Sequence, residues 1–360
     1  MIVANFMDSS LLDLQRKGVS ESISETYNPF GAYERVLHFT PHSRDLEVAE
    51  SLRARRIEIK VHHVSGIEPI KILWAVGQVW KILGKERVDL VRGRLPYTGS
   101  LVGGLAARLR GVPFVVSLGG DNRIPQQRDG FYYGSRTISF AIENVVLRLA
   151  TRIIVPNRFT KNYVRGILGD DLAEKKCSVI GWLSAAVPDS DPDDDGILQG
   201  MGISSDDVVL PVVGFINRYK YSHILFDVLG RGPLLAKDGR PAIVCFAGDG
   251  PLRAEGQRRF SNRNDVRFLG WQEKAAVQAL LRRAQAVIIP MSGFVLLEAA
   301  SLGKPVITSS VEWHSELVTN EVSGLLVDPD DPEAWRDAVT DMLARPDRRL
   351  RQREGVARRL

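Results

Sequence analysis

Short runs rich in valine and isoleucine alternate with amphipathic stretches along the whole chain, and nothing else in it constrains the fold so much. In the first half the runs are MIVANF, RVLHFT, IEIKVHHV, VDLVRG, PFVVSLG and RIIVPN; in the second they are VVLPVVGF, AIVCFAG, VRFLG, AVIIP, PVIT and GLLV. Helical patterns over Ser222–Lys237, Glu273–Ala284 and Pro332–Ala344 fall between them. Strands separated by helices pair in parallel and are covered on both faces. The pattern predicts an α/β protein of two doubly wound, Rossmann-like domains, with the ligand in a cleft at the strand carboxyl ends.

The chain has 360 residues, too many for one ordinary core and suited to two domains. The expected boundary is the acidic stretch 188–199, PDSDPDDDGILQ, because Pro, Asp, Ser and Gly favour turns and build no core. This predicts a first domain over 1–187, a linker over 188–199 and a second domain over 200–360. The net charge of +5 is unevenly spread: residues 1–187 hold 26 Lys/Arg against 18 Asp/Glu, a balance of +8. A basic first half and an acidic break suggest domains with different partners.

Composition excludes some classes. No apolar run approaches the ~20 residues that span a bilayer, and MIVANFMDSS lacks the basic start and long apolar stretch of a secretory signal. Cys177 and Cys245 make no disulfide framework. A reducing cytoplasm is the expected setting. No Gly-x-Gly-x-x-Gly opens a helix in either half, which disfavours a nicotinamide enzyme. His38, His42, His62 and His63 read as core or loop histidines rather than a metal set, so no metal is expected.

The stretch Ser292–Val306, SGFVLLEAASLGKPV, carries the most chemistry. It reads as a helix opened at Gly293, apolar except for Glu298. A carboxylate beside such a run needs a polar partner, while the free N–H groups at the helix start favour an anion. The amides of Phe294, Val295 and Leu296 would meet a phosphate, and Glu298 would accept hydrogen bonds from a vicinal diol. Two further loops follow strands. GFINRYK carries Arg218 and Lys220, which suit a diphosphate. GDGP places Gly248 and Gly250 where another backbone comes close.

Taken in order, GFINRYK, FAGDGP, VRFLGW, AVIIP, LLEAASLGKPVITSS and SGLLVDPDDPEAW resemble the donor-binding half of a GT-B glycosyltransferase of the retaining family four. A looser likeness runs through VDLVRGRLPYTGSLVGGLAARLRGVPFVVSLGGD in the first half. The resemblance implies transfer of a sugar from a nucleoside-diphosphate sugar, which serves as co-substrate, to a hydroxyl of a glycan or lipid-linked acceptor, with no cofactor and no metal. A role in polysaccharide or glycolipid biosynthesis follows from it. Residue by residue, Glu298 matches the second glutamate of a Glu-x7-Glu motif that holds the ribose. Lys220, with Arg218 and Asp121, falls at catalytic positions, and Gly293 at the helix start under the phosphates. Gly248 and Gly250 match a donor-cleft turn, and Leu269, Gly270 and Trp271 the loop that frames the base.

The first half would bind the acceptor, with Arg92 and Arg94 as contacts and Arg108 and Arg110 nearby. Its positive balance implies an anionic acceptor or peripheral contact with an anionic membrane surface on the inner face; no nucleic-acid partner is expected for a glycosyltransferase of this kind. Three residues depart from the family pattern: Pro290 stands where the first glutamate of the motif belongs, Phe215 where an arginine belongs, and Gly119 where a histidine belongs. These departures support the alternative of a degenerate GT-B module that binds sugar nucleotide or a partner transferase without turnover.

Overall fold

The computed structural model describes residues 1–16, 27–53, 56–61, 68–121, 123, 136–181, 187–291 and 294–345. The chain divides into two compact units, Met1–Gly181 and Trp182–Leu360.

The first unit is built on seven strands: β1 (Ile2–Phe6), β2 (Arg35–Thr40), β3 (Ile57–Val61), β4 (Leu90–Arg94), β5 (Phe114–Ser117), β6 (Arg152–Val155) and β7 (Cys177–Val179). They lie in the order β3-β2-β1-β4-β5-β6-β7, and every pairing is parallel. Alternation along each strand sends side chains to two faces. Ala4, Phe6, Leu37, Phe39 and Val91 join one apolar cluster, while Met7, Val36, Ile57 and Ile59 join another. Phe6 and Phe39 stack with ring centroids 4.5 Å apart on the first of these. The helices Pro69–Lys85, Thr98–Arg110, Arg136–Leu149 and Arg158–Leu168 connect later strands.

The second unit holds β8 (Val209–Val213), β9 (Ile243–Ala247), β10 (Val266–Gly270), β11 (Val287–Ile289), β12 (Val306–Ser309) and β13 (Leu325–Val327). They form two parallel three-stranded ladders, β10-β9-β8 and β11-β12-β13. β11 runs beside β8, and the Gln285 N–H donates to the Val209 carbonyl at 3.0 Å. The ladder breaks there for a local reason. Val209 turns its polar groups toward β11, so Pro211 does the same, and a proline has no N–H to give. Side-chain packing crosses the seam: Leu210, Ala286, Ile288 and Ile307 share one cluster.

Two expectations are corrected. The segment 188–199 is not a free linker: Asp194–Gly200 is a helix, Leu198 is buried, and Arg282 grips Asp194 with two bonds of 2.6 and 2.5 Å. Only the Pro- and Asp-rich start lacks regular structure, because Ile197 and Leu198 supply an apolar face that the acidic count obscures. The helix expected over Ser222–Lys237 stops at Gly230. Gly232 and Pro233 follow, and Arg336 satisfies the carbonyls of Val228, Gly232 and Pro233 at 3.1–3.2 Å. By contrast Pro332–Ala344 forms as its sequence predicts. Asp331 caps it by accepting from the Glu333 and Ala334 N–H groups, a contact of about 1 kcal/mol.

Candidate functional site

In the second unit the loops after β8 and β9 are laced together by backbone bonds. The Gly214 N–H donates to Ala247, Ile216 to Asp249 and Leu252 back to Ile216, at 3.0, 2.8 and 3.1 Å. This lacing explains the glycines of GDGP. A Cβ on Gly248 would stand 1.9 Å from the Gly214 oxygen, and one on Gly250 would stand 2.4 Å from the Ile216 oxygen. The close backbone they permit is the neighbouring loop.

The next turn sets Lys220. Buried Asn217 accepts the Lys220 N–H through Oδ1 at 2.8 Å, and its carbonyl accepts the Ser222 N–H at 3.1 Å. Half-buried Lys220 lines a cavity at the strand carboxyl ends, with Phe215, Ile216, Ile289, Pro290 and Met291 among its neighbours. Its Nζ lies 5.3 Å from the centre of the Tyr219 ring. Burial holds the ammonium below the ordinary lysine range, and Glu312 opposes that shift. Lys220 has no ion pair among the described residues. Arg218 is not brought to this cavity; it is exposed.

The helix Phe294–Ser301 buries Val295, Leu296, Leu297, Ala299 and Ala300. Phe294 and Glu298, four residues apart, share its accessible stripe. Burial raises the Glu298 carboxyl above the usual range, with Lys274 opposing. No hydrogen bond or ion pair engages that carboxyl among the described residues. Gly293 lies outside the described residues. Pro290 is buried just past β11, and its carbonyl accepts from the Ser309 hydroxyl. Of the base-framing positions, Leu269 packs against a core cluster, Gly270 adopts φ +72°, and Trp271 is 54% exposed.

The first unit holds the remaining candidates. Arg92 and Arg94 are half-buried on β4, where Arg92 stands beside Asn5 of β1. Arg94 Nη1 donates to the Tyr27 hydroxyl at 3.5 Å, so it is partly engaged inside the unit. Burial draws the Arg92 guanidinium down from its ordinary value. Asp121 accepts the Arg123 N–H at 2.8 Å; Arg123 Nε in turn donates to Glu143 at 3.0 Å, and the Tyr163 hydroxyl donates to the same carboxylate. His38 is buried and bonded to Asn5, and His42 Nε2 contacts the Asp8 carbonyl at 2.8 Å. His62 and His63 lie outside the described residues. Among the described residues no group of three His, Cys, Asp or Glu side chains could hold a metal ion.

Sequence reasoning missed Asp8. It follows β1, and its Oδ1 accepts the Gly99 N–H at 3.1 Å in the first turn of Thr98–Arg110. Burial pushes its carboxyl up to about 6, against the helix amide and His42. Its Oδ2 is buried with no hydrogen-bond partner among the described residues. The signal was a carboxylate directly behind the first strand, but the partner 91 residues away is invisible in local pattern.

Both units therefore carry the strand order and carboxyl-end loops of a doubly wound sheet. Residues 194–359 match the profile of glycosyl transferases group 1, and residues 34–181 match that of glycosyltransferase family 4. The chain belongs to the GT-B glycosyltransferases of family four. A D-inositol 3-phosphate glycosyltransferase of Segniliparus rotundus is 31% identical over 167 residues, which are 44% of this chain and 37% of that protein. A glycogen synthase of Mycobacterium tuberculosis is 28% identical over 153 residues, 41% of this chain and 37% of its own. The chain thus matches less than two-fifths of the length of these curated relatives. Anabaena Alr3699/HepE, solved with UDP and glucose, superposes with a TM-score of 0.76 at 18% identity, covering 99% of this chain and 94% of that one. At that identity the likeness shows the fold. No helix among the described residues is long and apolar enough to cross a membrane.

Proposed function

We propose that the protein is a retaining glycosyltransferase that moves a sugar from a nucleoside-diphosphate sugar to a hydroxyl of a glycan or lipid-linked acceptor. One observation carries this reading: a half-buried lysine without an ion-pair partner among the described residues, set in a largely apolar cavity at the carboxyl ends of β8 and β11. A cation held away from water attracts a phosphate more strongly than one in bulk solvent.

The difficult step is departure of the diphosphate while positive charge builds at the anomeric carbon. The lysine, on a turn whose backbone Asn217 already holds, would offset the charge on the leaving group with little reorganisation. Glu298, accessible on its helix stripe and lacking a protein partner among the described residues, would accept from the two ribose hydroxyls. Ribose binding would then supply the polar contacts that its burial lacks. The curated relatives are named as glycosyltransferases and a glycogen synthase, and the HepE structure holds UDP and glucose; both are consistent with such a donor.

A panel of sugar nucleotides tests the proposal. One of them should raise the melting temperature, because a ligand bound only by the folded state stabilises it. The same compound should release nucleoside diphosphate slowly without acceptor, and Lys220→Met should lower the release on the order of a hundredfold. No shift and no release with any nucleotide would overturn the reading. The second reading, a binding module without turnover, draws on Pro290, which is buried with its carbonyl engaged where the family glutamate belongs. A melting shift with no diphosphate release, with or without acceptors, would select it.

A further inference from the structure

The helix Pro69–Lys85 in the first unit carries a surface that the proposed reaction does not use. Its inner side is buried through Ala75, Val76, Val79 and Leu83. Its outer side is also apolar at the start: Ile70 is 82% exposed, Leu73 70% and Trp74 53%. Spacings of three and four place these three on one face, and the same face continues through exposed Lys81 and Lys85. The 17 residues of the helix contain three lysines and no acid. Lys81 and Lys85 have no ion-pair partner among the described residues, whereas Lys71 is paired with Glu68 at 2.8 Å.

Arg110 of the next helix adds a further cation. Its guanidinium lies 3.8 Å from the Trp80 ring centre, and its Nε donates to the Trp80 carbonyl at 3.0 Å. Leaving large apolar side chains in water is costly, and a contiguous exposed set marks an interaction surface. The charge pattern decides which partner fits. A second copy of the chain would bring no acid from this helix face to meet Lys81 and Lys85. An anionic bilayer supplies both an apolar interior for Ile70, Leu73 and Trp74 and lipid phosphates for the cations. Tryptophan is favoured at that depth, because its ring is apolar and its N–H stays near water.

We propose that this outer face of Pro69–Lys85 docks in the plane of an anionic membrane, with Ile70, Leu73 and Trp74 entering the acyl boundary and Lys81, Lys85 and Arg110 meeting headgroups. The inference is independent of the donor site, which lies in the other unit.

Co-sedimentation of the full chain with phosphatidylcholine vesicles, with and without phosphatidylglycerol, tests it. Binding should need the anionic lipid and fall steeply with salt. The double charge reversal K81E/K85E should lower the partition coefficient about tenfold or more. I70E/W74E should abolish binding while leaving the melting temperature and diphosphate release unchanged, since both side chains are exposed. Equal recovery on neutral and anionic vesicles, or unaltered binding by I70E/W74E, would overturn the proposal. So would a concentration-dependent dimer in sedimentation velocity that I70E/W74E dissolves, since the face would then belong to a second copy.

Discussion

The two units hold their carboxyl-end loops in different ways. In the second, backbone is laced to backbone, and Gly248 and Gly250 are there because nothing larger fits under the Gly214–Ile216 loop. In the first, backbone bonds run one residue past β1, β4 and β5, from Met7 to Phe39, Leu95 to Ser117 and Leu118 to Ile154. Beyond that, the loop behind β1 is tied by a side chain, Asp8, reaching the start of a helix 91 residues on. The loop behind β5 is tied through Asp121, Arg123 and Glu143. Lacing by backbone fixes a loop whatever the ionisation of its side chains. Tying by carboxylates makes a loop sensitive to pH.

The sharpest way to break this contrast is Gly248→Ala. Its new methyl would overlap the Gly214 oxygen, and relieving that overlap means unlacing both loops, at a cost of about 3 kcal/mol or more. Thermal unfolding should show a large fall in Tm; an unchanged Tm would mean that the loops are not locked. Next in size is Lys220→Met. If the lysine faces the leaving group, kcat should drop on the order of a hundredfold, with Tm unchanged or raised because a buried charge is gone. A loss confined to KM would assign it uniform binding instead.

Glu298→Gln keeps the shape of the helix stripe and removes the charge proposed to accept two ribose hydroxyls. Affinity for the nucleotide, measured by titration calorimetry, should weaken about tenfold. Stability should hold or rise at neutral pH, since a carboxyl raised by burial destabilises the fold when ionised. Equal affinity would remove Glu298 from the site.

The smallest effect belongs to the first unit. Asp8 has its folded value raised from 3.8 to about 6, so the folded state holds that proton more tightly than the unfolded state. Stability from this group therefore declines as pH rises between those two values and stays low above them. Asp8→Asn should flatten that part of the stability–pH curve and leave the protein more stable at neutral pH by on the order of 1 kcal/mol. If the curve keeps its slope, the tie at Gly99 does not depend on the carboxylate charge.

The same contrast explains what the sequence revealed. Alternating apolar runs located every strand but the short, largely exposed edge strand β7, and Asp331–Pro332 located a helix start, because those signals lie within a few residues of what they specify. GDGP pointed to a close backbone for the same reason. Asp8 with Gly99, and Arg282 with Asp194, pair residues about ninety positions apart, which no local periodicity encodes. The acidic segment misled for a related reason: its charges are real, but one of them is consumed by Arg282 and its Leu198 is core. Pro290 and Phe215 were legible as departures, and their surroundings were not.

Pro211 has a mechanical consequence. A parallel sheet resists shear through its rungs, and the β8–β11 junction is missing a rung where the proline sits. The second unit is thus two stiff leaves joined along a soft line. Lys220 stands on the loop behind one leaf, and Pro290 and the Glu298 helix follow the edge strand of the other. The spacing between the cation and the carboxylate is therefore governed by the packing of Leu210, Ala286 and Ile288, which yields to small displacements more readily than a hydrogen-bonded ladder does.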